Sequence, residues 1–468
     1  MIRAGRVLAE PGHGPPQGPA ALHVETGRIA RLDAVDGLTA EEVDRLIMPA
    51  LVNAHDHGRG LRTLAFEAAD APLETWMPAL GKQPRVDPYL DALVAFGRMA
   101  RNGIGATNHC HTPQNGAALP AEAEAVARAA RDVGIRVAFG LPFFDRNPLI
   151  YGDLEDFLDR LDPADRPALI AQAKRMRPVA MNMDFAERIA ALESPYFSLQ
   201  YHPVAPQWAT HETLAVLAES SAATGRRVHM HLLETERQRL WADRTYPTGF
   251  LRFLDEIGLL SPRLTVAHGV WLRPEECALL AERGVTVVIN LSSNRRLRSG
   301  EPPLAAMRAA GLGFGLGLDA LSFDDDEDML RELRLVARLD ALTPAELFDA
   351  ALISGRRTIL GEDGGGRIAV GAPADFLVLD YAALVQDCIG DGVEACEIIL
   401  ARAALRHVTS LFVAGREVAR DGRCVGVDIE AAEAELVAQA RAHRRSDPPD
   451  MARIARLQEA LERHYAGN

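Results

Sequence analysis

The stretch PALVNAHDH, residues 49–57, reads as a buried strand whose carboxyl end turns polar, with Leu51, Val52 and Ala54 giving way to His55, Asp56 and His57. A strand covered on both faces should be apolar along its length, so polar residues gathered at its end need a reason. Residues two apart on a strand share a face, which aims His55 and His57 together. The pattern recurs outward from this point. Apolar strand candidates at about 50–55, 104–109, 135–141, 197–202, 227–231, 264–268, 285–290 and 313–319 alternate with amphipathic helical stretches such as 120–133, 212–224, 273–283 and 343–354. Eight parallel β/α units close into a barrel, and the carboxyl ends of its strands are where active sites form. Those ends carry His55-Asp56-His57, His109-Cys110-His111, Gln200 with His202, His229-Met230-His231, His268, Asn290 and Asp319.

The expected fold is therefore α/β, a (β/α)8 TIM-type barrel over 50–360. Both flanks read differently. ALHVETGRIARLDA (21–34) and, after residue 360, GRIAVGAPADFLVLD (366–380) and VTSLFVAGREVARDG (408–422) are Gly-punctuated strands of matching composition. They predict one small β-sandwich domain built from 1–49 and 361–425, followed by a helical tail over 426–468 rich in Ala, Glu and Arg. A length of 468 residues suits two or three such units, at about 100–200 residues per domain.

Composition narrows the function. A net charge of −14 disfavours nucleic acid and anionic membranes as partners. No window approaches the 18 or so apolar residues of a membrane span, and MIRAGRVLAEPGHG has no signal-peptide core. Cys110, Cys277, Cys388, Cys396 and Cys424 form no C-x-x-C pair, against a disulfide framework or a cysteine zinc cluster. A cytoplasmic protein, associating as a homo-oligomer, is expected. There is no G-x-S-x-G elbow, P-loop or Rossmann fingerprint.

Three imidazoles and one carboxylate suit a borderline-soft divalent ion and leave a position open for water. His55, His57, His231 and Asp319 fit that description from three strands. Gly313, Gly315 and Gly317 share Asp319's face, where they either open room beside the ion or mark a crowded barrel interior. The acidic run Asp324 to Asp328 reads most simply as a solvated helix start.

PALVNAHDH (49–57), VHMHLLET (228–235), TVAHG (265–269), NLSSNRRLRSG (290–300) and GLGLDALSFDDD (315–326), in that order, resemble the amidohydrolase superfamily. The branch is that of the cytosine, guanine and adenosine-type deaminases and the triazine hydrolases. The resemblance covers about residues 1–425. It implies that His55, His57, His231 and Asp319 bind one divalent metal per chain, zinc first and iron second, while Glu234, His268 and Asp319 act on substrate and water. Binuclear relatives bridge two metals with a carboxylated lysine on the fourth strand, but the only lysines here are Lys82 and Lys174. A mononuclear site is expected, with the pair His109 and His111 assigned to substrate contact or a structural hydrogen bond and, as the alternative, to a second metal.

Such a site activates water at neutral pH, and Glu234 is placed to carry a proton to a ring nitrogen. The expected activity is a metal-dependent deaminase of an aminated N-heterocycle of purine, pyrimidine, pterin or triazine type. The alternatives are a cyclic-amide or C–Cl hydrolase of the same superfamily and a non-catalytic barrel scaffold. Substrate-contact candidates are Arg59, Trp76, His109, His111, Gln207, Trp208 and Asn294, with Arg62, Glu74, Phe143, Asp145, Trp271 and Ser299 behind them.

Overall fold

Between residues 51 and 316 short, mostly buried strands are separated by one or more helices, and their burial leaves them no place but a core. The structure, a computed structural model, describes residues 1–468 apart from 148, 153, 320–325, 391, 467 and 468. Eight strands lie side by side in sequence order: β1 (Leu51–Asp56), β2 (Ile104–Cys110), β3 (Arg136–Phe143), β4 (Phe197–Pro203), β5 (Val228–Leu232), β6 (Leu264–His268), β7 (Thr286–Ile289) and β8 (Gly313–Leu316). Each pairs in parallel with its neighbour, as in Val137↔Phe197 and His231↔Ala267. The last seam closes just past β8, where the N–H groups of Leu318 and Asp319 donate to His55 O at 3.2 and 2.9 Å. The eight strands thus form a nearly closed TIM-type barrel. They coincide with the sequence-predicted strands to within a few residues, except that β8 stops at Leu316 and leaves Asp319 on the loop beyond it.

Helices between the strands begin and end where local chemistry permits. Asp87 accepts Tyr89 N–H ahead of helix Pro88–Arg101, and Thr210 accepts Thr213 N–H ahead of helix His211–Thr224. Both segments bury one face against the barrel, whose core includes Phe96, Phe139, Phe143 and Phe197.

Two further sheets come from both flanks. One has three strands, Ile2–Ala4, Ala20–Glu25 and Arg28–Ala34; the other has six, joining Arg6–Val7 and Arg45–Pro49 to Phe376–Asp380, Val408–Val413, Arg416–Arg420 and Arg423–Cys424. Leu22, Ile29, Ile47, Phe376 and Val378 form their shared core, separate from that of the barrel. Asp375 ties this layer to the barrel: its carboxylate accepts Arg136 Nε at 2.7 Å and Arg356 Nη2 at 2.7 Å, and Ala414 N–H at 2.7 Å. The tail forms helices Ile429–Ser446 and Met451–Ala466. The second buries Leu457 and Leu461, and its Gln458 donates to Thr75 O at 2.9 Å, bracing the loop after β1.

Two readings need correction. Gly315 and Gly317 do not open space beside Asp319. A Cβ on Gly317 would sit 2.4 Å from Asn290 Oδ1 and 2.9 Å from His55 Cβ, so the glycine permits two strands and a histidine to meet, the crowded-interior alternative. Nor is the end of the acidic run solvated. Asp328 is buried and accepts Arg331 N–H as the cap of helix Met329–Ala337, while Asp324 and Asp325 lie outside the described residues.

Candidate metal centre and active site

β1 carries His55 inward at its end, and the chain then turns at once. Asp56 shapes that turn by accepting Gly58 N–H and Asn53 Nδ2, both at 2.6 Å. Gly58 has φ +57° and lies so close to His109 that a Cβ would fall 2.2 Å from its Nδ1, so neither the backbone angle nor the space admits a side chain. The turn delivers His57 to the barrel mouth, where its Nε2 lies 3.3 Å from His231 Nε2 and 3.3 Å from Asp319 Oδ1.

His55 Nε2 lies 3.0 Å from the same Asp319 oxygen, yet it is buried without a hydrogen-bond partner. The two atoms converge on a third point rather than facing one another along a hydrogen bond. One ligand atom each from His55, His57, His231 and Asp319 falls within a mutual 4.8 Å. This donor set, three imidazole nitrogens and a carboxylate oxygen with one nitrogen orphaned, fits a borderline divalent ion. Burial lowers His55 to about 4 and, with the neighbouring imidazoles, holds His231 well below the ordinary histidine value, leaving neutral rings with free lone pairs. Burial alone would raise Asp319, but His55 and His57 hold it well below the carboxylate range. Asp319 also has φ +61°, uncommon for a residue with a side chain, and Ser293 Oγ donates to its Oδ2 at 2.6 Å.

Behind these groups lies a polar layer whose roles the sequence reading did not assign. His55 Nδ1 is hydrogen-bonded to His229 Nε2 at 2.8 Å, and Asn108 Nδ2 bridges His229 Nδ1 and Gln200 Oε1, both at 3.1 Å. His231 Nδ1 is held by Val204 O at 2.6 Å. The signal that could have found this layer was Asn108 and His229 occupying strand positions that should be apolar. His55, Cys110 and His229 form a second group of possible ligands, but it uses the opposite nitrogen of His55, already bonded to His229.

Glu234 does not begin the following helix. It precedes the cap residue Thr235 of helix Glu236–Thr245 and is buried, with Ser299 Oγ donating to it at 3.3 Å. Burial pushes its carboxyl up to about 7. His268 Nδ1 is hydrogen-bonded to Asn294 Oδ1 at 2.9 Å, which leaves Nε2 without a partner, 3.7 Å from Glu234 Oε2. Glu234, His268, His57, His231 and Asp319 all border one cavity of about 200 Å³, walled by Leu73, Trp76, Met77, Leu80, Phe144, Trp208 and Leu297.

Of the substrate-contact candidates, Arg59, Trp76 and Trp208 border this cavity. Asn294 serves His268 instead, and Gln207 is buried away from the cavity lining. His109 and His111 face a neighbouring cavity of about 30 Å³ and bond to each other at 3.1 Å, with His111 Nε2 2.9 Å from Glu122. Glu74 is spent structurally: it takes Tyr151 OH at 3.1 Å and Arg237 at 3.1 Å. Asp145 caps the Thr210 turn, Trp271 donates to Ser299 O at 2.8 Å, Phe143 is core and Arg62 is exposed.

Known proteins resemble this chain in sequence and in fold. The amidohydrolase family model matches residues 46–418. A 5-methylthioadenosine/S-adenosylhomocysteine deaminase of Thermococcus sibiricus is 28% identical over 383 residues, covering 77% of this chain and 81% of its own. Among solved structures, an adenosine deaminase from Xanthomonas campestris with bound zinc superposes with a TM-score of 0.75 at 25% identity, over 95% of this chain and 97% of that one. The atrazine chlorohydrolase of Arthrobacter aurescens TC1 shares the fold, with a TM-score of 0.76 at 20% identity over 94% and 99% of the two chains.

Proposed function

Since the chain belongs to the amidohydrolase family, we propose that it is a metal-dependent aminohydrolase that replaces an exocyclic amino group of an N-heterocycle with oxygen and releases ammonia. The observation that carries this reading is the convergence of His55, His57, His231 and Asp319 on one point at the floor of a cavity that Glu234 and His268 also border. These four residues would hold a single divalent ion, and zinc is the ion we propose, following the zinc-bound Xanthomonas campestris relative. Bound there, a divalent ion would lower the pKa of water and so supply a nucleophile at neutral pH.

The chain's own residues would do the rest. Glu234, with its carboxyl at about 7, holds a proton it can place on a ring nitrogen, making the amine-bearing carbon more electrophilic. His268, oriented by Asn294, offers Nε2 to the oxygen being added. Asp319, anchored by Ser293, accepts the proton that water gives up and passes it to the departing amine. The balance is simple: a C–N bond breaks, a C–O bond forms, one water is consumed, ammonia leaves, and the added hydroxyl gives its remaining proton back to Glu234. The apolar walls exclude other water from the ring.

Deamination is favoured over ring opening by the deaminase relatives named above. Free cysteines at all five positions support a reducing compartment, the cytoplasm. The test is a screen of aminated purines, pyrimidines, pterins and triazines read by ammonia release and product mass. Exchange of NH₂ for OH raises mass by about one unit, whereas hydrolytic ring opening adds about eighteen. A gain of eighteen without ammonia would replace the deaminase with a ring hydrolase.

A further inference from the structure

Five arginines are buried among the described residues: Arg59, Arg98, Arg239, Arg296 and Arg356. Four of them have a carboxylate partner. Arg98 lies 2.6 Å from Glu433, Arg239 2.8 Å from Glu276, Arg296 2.8 Å from Asp70 and Arg356 2.7 Å from Asp375. Arg59, only 8% exposed, has no carboxylate within 4 Å among the described residues. Its side chain makes one hydrogen bond, from Nη1 to the neutral Gln83 Oε1 at 3.1 Å, and its Nε is buried with no partner. Asp91 borders the same small cavity but commits Oδ1 to the N–H groups of Gly60 and Leu61 at 2.9 and 3.0 Å.

A buried guanidinium that no carboxylate touches is poorly compensated: Asp91, Asp319 and Asp56 act on Arg59 only from beyond contact distance, and a neutral amide does not repay the rest of its desolvation. Among the described residues, Arg59 is also the only arginine or lysine bordering the cavity that holds Glu234, His268 and Asp319. We infer that the substrate carries an acidic group, a carboxylate or an equivalent oxyanion on its ring, and that Arg59 receives it. This rests on the proposed aminohydrolase reading and names the substrate class of that site. Arg59 follows β1, whereas Glu234 follows β5, across the barrel. A flat ring between Trp76 and Trp208 would thus present its anion to the β1 side and its reacting edge to the β5 and β6 side. The fork of N–H donors on a guanidinium suits a carboxylate in a way a lysine ammonium does not.

The test has two arms, both on metal-loaded protein. In the first, without ligand, Arg59→Met should melt at the same temperature as the wild type or higher, since it removes a buried charge that no carboxylate contacts. A fall of more than about 4 °C, or failure to fold, means that the guanidinium is already satisfied in the free protein and overturns the inference. In the second, calorimetry compares 4-aminopyrimidine-5-carboxylate with its 5-carboxamide, and pterin-6-carboxylate with pterin. The acid of a binding pair should bind at least about tenfold tighter, a preference reduced by Arg59→Lys and abolished by Arg59→Gln. Equal binding of acid and uncharged partner, or a preference that survives Arg59→Gln, overturns it; if none of the four binds, the melting arm decides. Neither readout uses ammonia release or metal content, on which the aminohydrolase reading stands or falls by itself.

Discussion

His55 and Asp319 meet twice. The backbone N–H of Asp319 donates to the carbonyl of His55 at 2.9 Å, and the His55 Nε2 atom lies 3.0 Å from the Asp319 carboxylate. The first contact belongs to the seam that closes the barrel; the second belongs to the candidate metal centre. Closing the sheet and assembling the ligand set are therefore one event, and the centre is as rigid as the seam. The positive φ of Asp319 is the local cost of bringing its side chain back over the strand it has just paired with.

The proposed division between ligand and proton carrier predicts that two neighbouring substitutions diverge. His231→Ala should lose metal and activity together. Glu234→Gln should keep about one metal per chain while turnover falls by about 10²–10⁴-fold, the usual range for general acid–base assistance. Elemental analysis beside steady-state kinetics checks both. A metal ratio near two that drops on changing His109 or His111 would show a second centre.

Support from behind the ligands should be measurable too. His229→Ala removes the partner of His55 Nδ1 without touching the proposed ligand atom. Metal affinity is expected to fall about 10–100-fold, as when a second partner of a ligating histidine is lost. Competition with a chelator measures it, and unchanged affinity would make His229 a packing residue only.

Asp375 should be among the most costly side chains to neutralise. Burial would raise its carboxyl, but Arg356 and Arg136 hold it below the ordinary value. Asp375→Asn leaves Arg136 without its carboxylate and Arg356 with Asp363 alone, and should cost about 3–5 kcal/mol in unfolding free energy. A depressed carboxyl contributes stability that is present above the unfolded value and is lost as pH falls through the folded one. The wild-type advantage should thus shrink only below about pH 4. Denaturant melts at pH 7 and pH 3.5 test the sign.

Glu332 predicts the opposite slope. It is buried, accepts Ser292 N–H at 3.1 Å, and burial raises its carboxyl to about 7. Between about pH 4.5 and 7 the unfolded chain gives up this proton more readily than the folded one, so stability drains away as pH rises through that window. Glu332→Gln keeps an acceptor for Ser292 and cannot ionise. Its stability relative to the wild type should rise across the window by on the order of 2 kcal/mol, and a flat difference would place the Glu332 proton elsewhere.

Much of this was legible along the chain. The eight strands, the barrel they form and the inward aim of His55, His57 and His231 follow from a period of two and from polar residues where apolar ones belong, both local properties of the sequence. Other features required the folded chain. Asp319 sits beyond its strand, and its carboxylate reaches the histidines only because its backbone pairs with residue 55. Asn108, Gln200 and His229 read as isolated polar residues on three different strands, and become a bonded layer only when those strands lie in one barrel. Asn294, which follows the seventh strand and suggested substrate contact, lies in helix Leu291–Arg296 and turns to His268. That no carboxylate touches Arg59 is visible only beside the four buried arginines that each have one in contact. Periodicity records which face a side chain occupies, whereas hydrogen bonds and charge compensation depend on atoms that can be hundreds of residues apart in sequence, and only tertiary structure decides whether they meet.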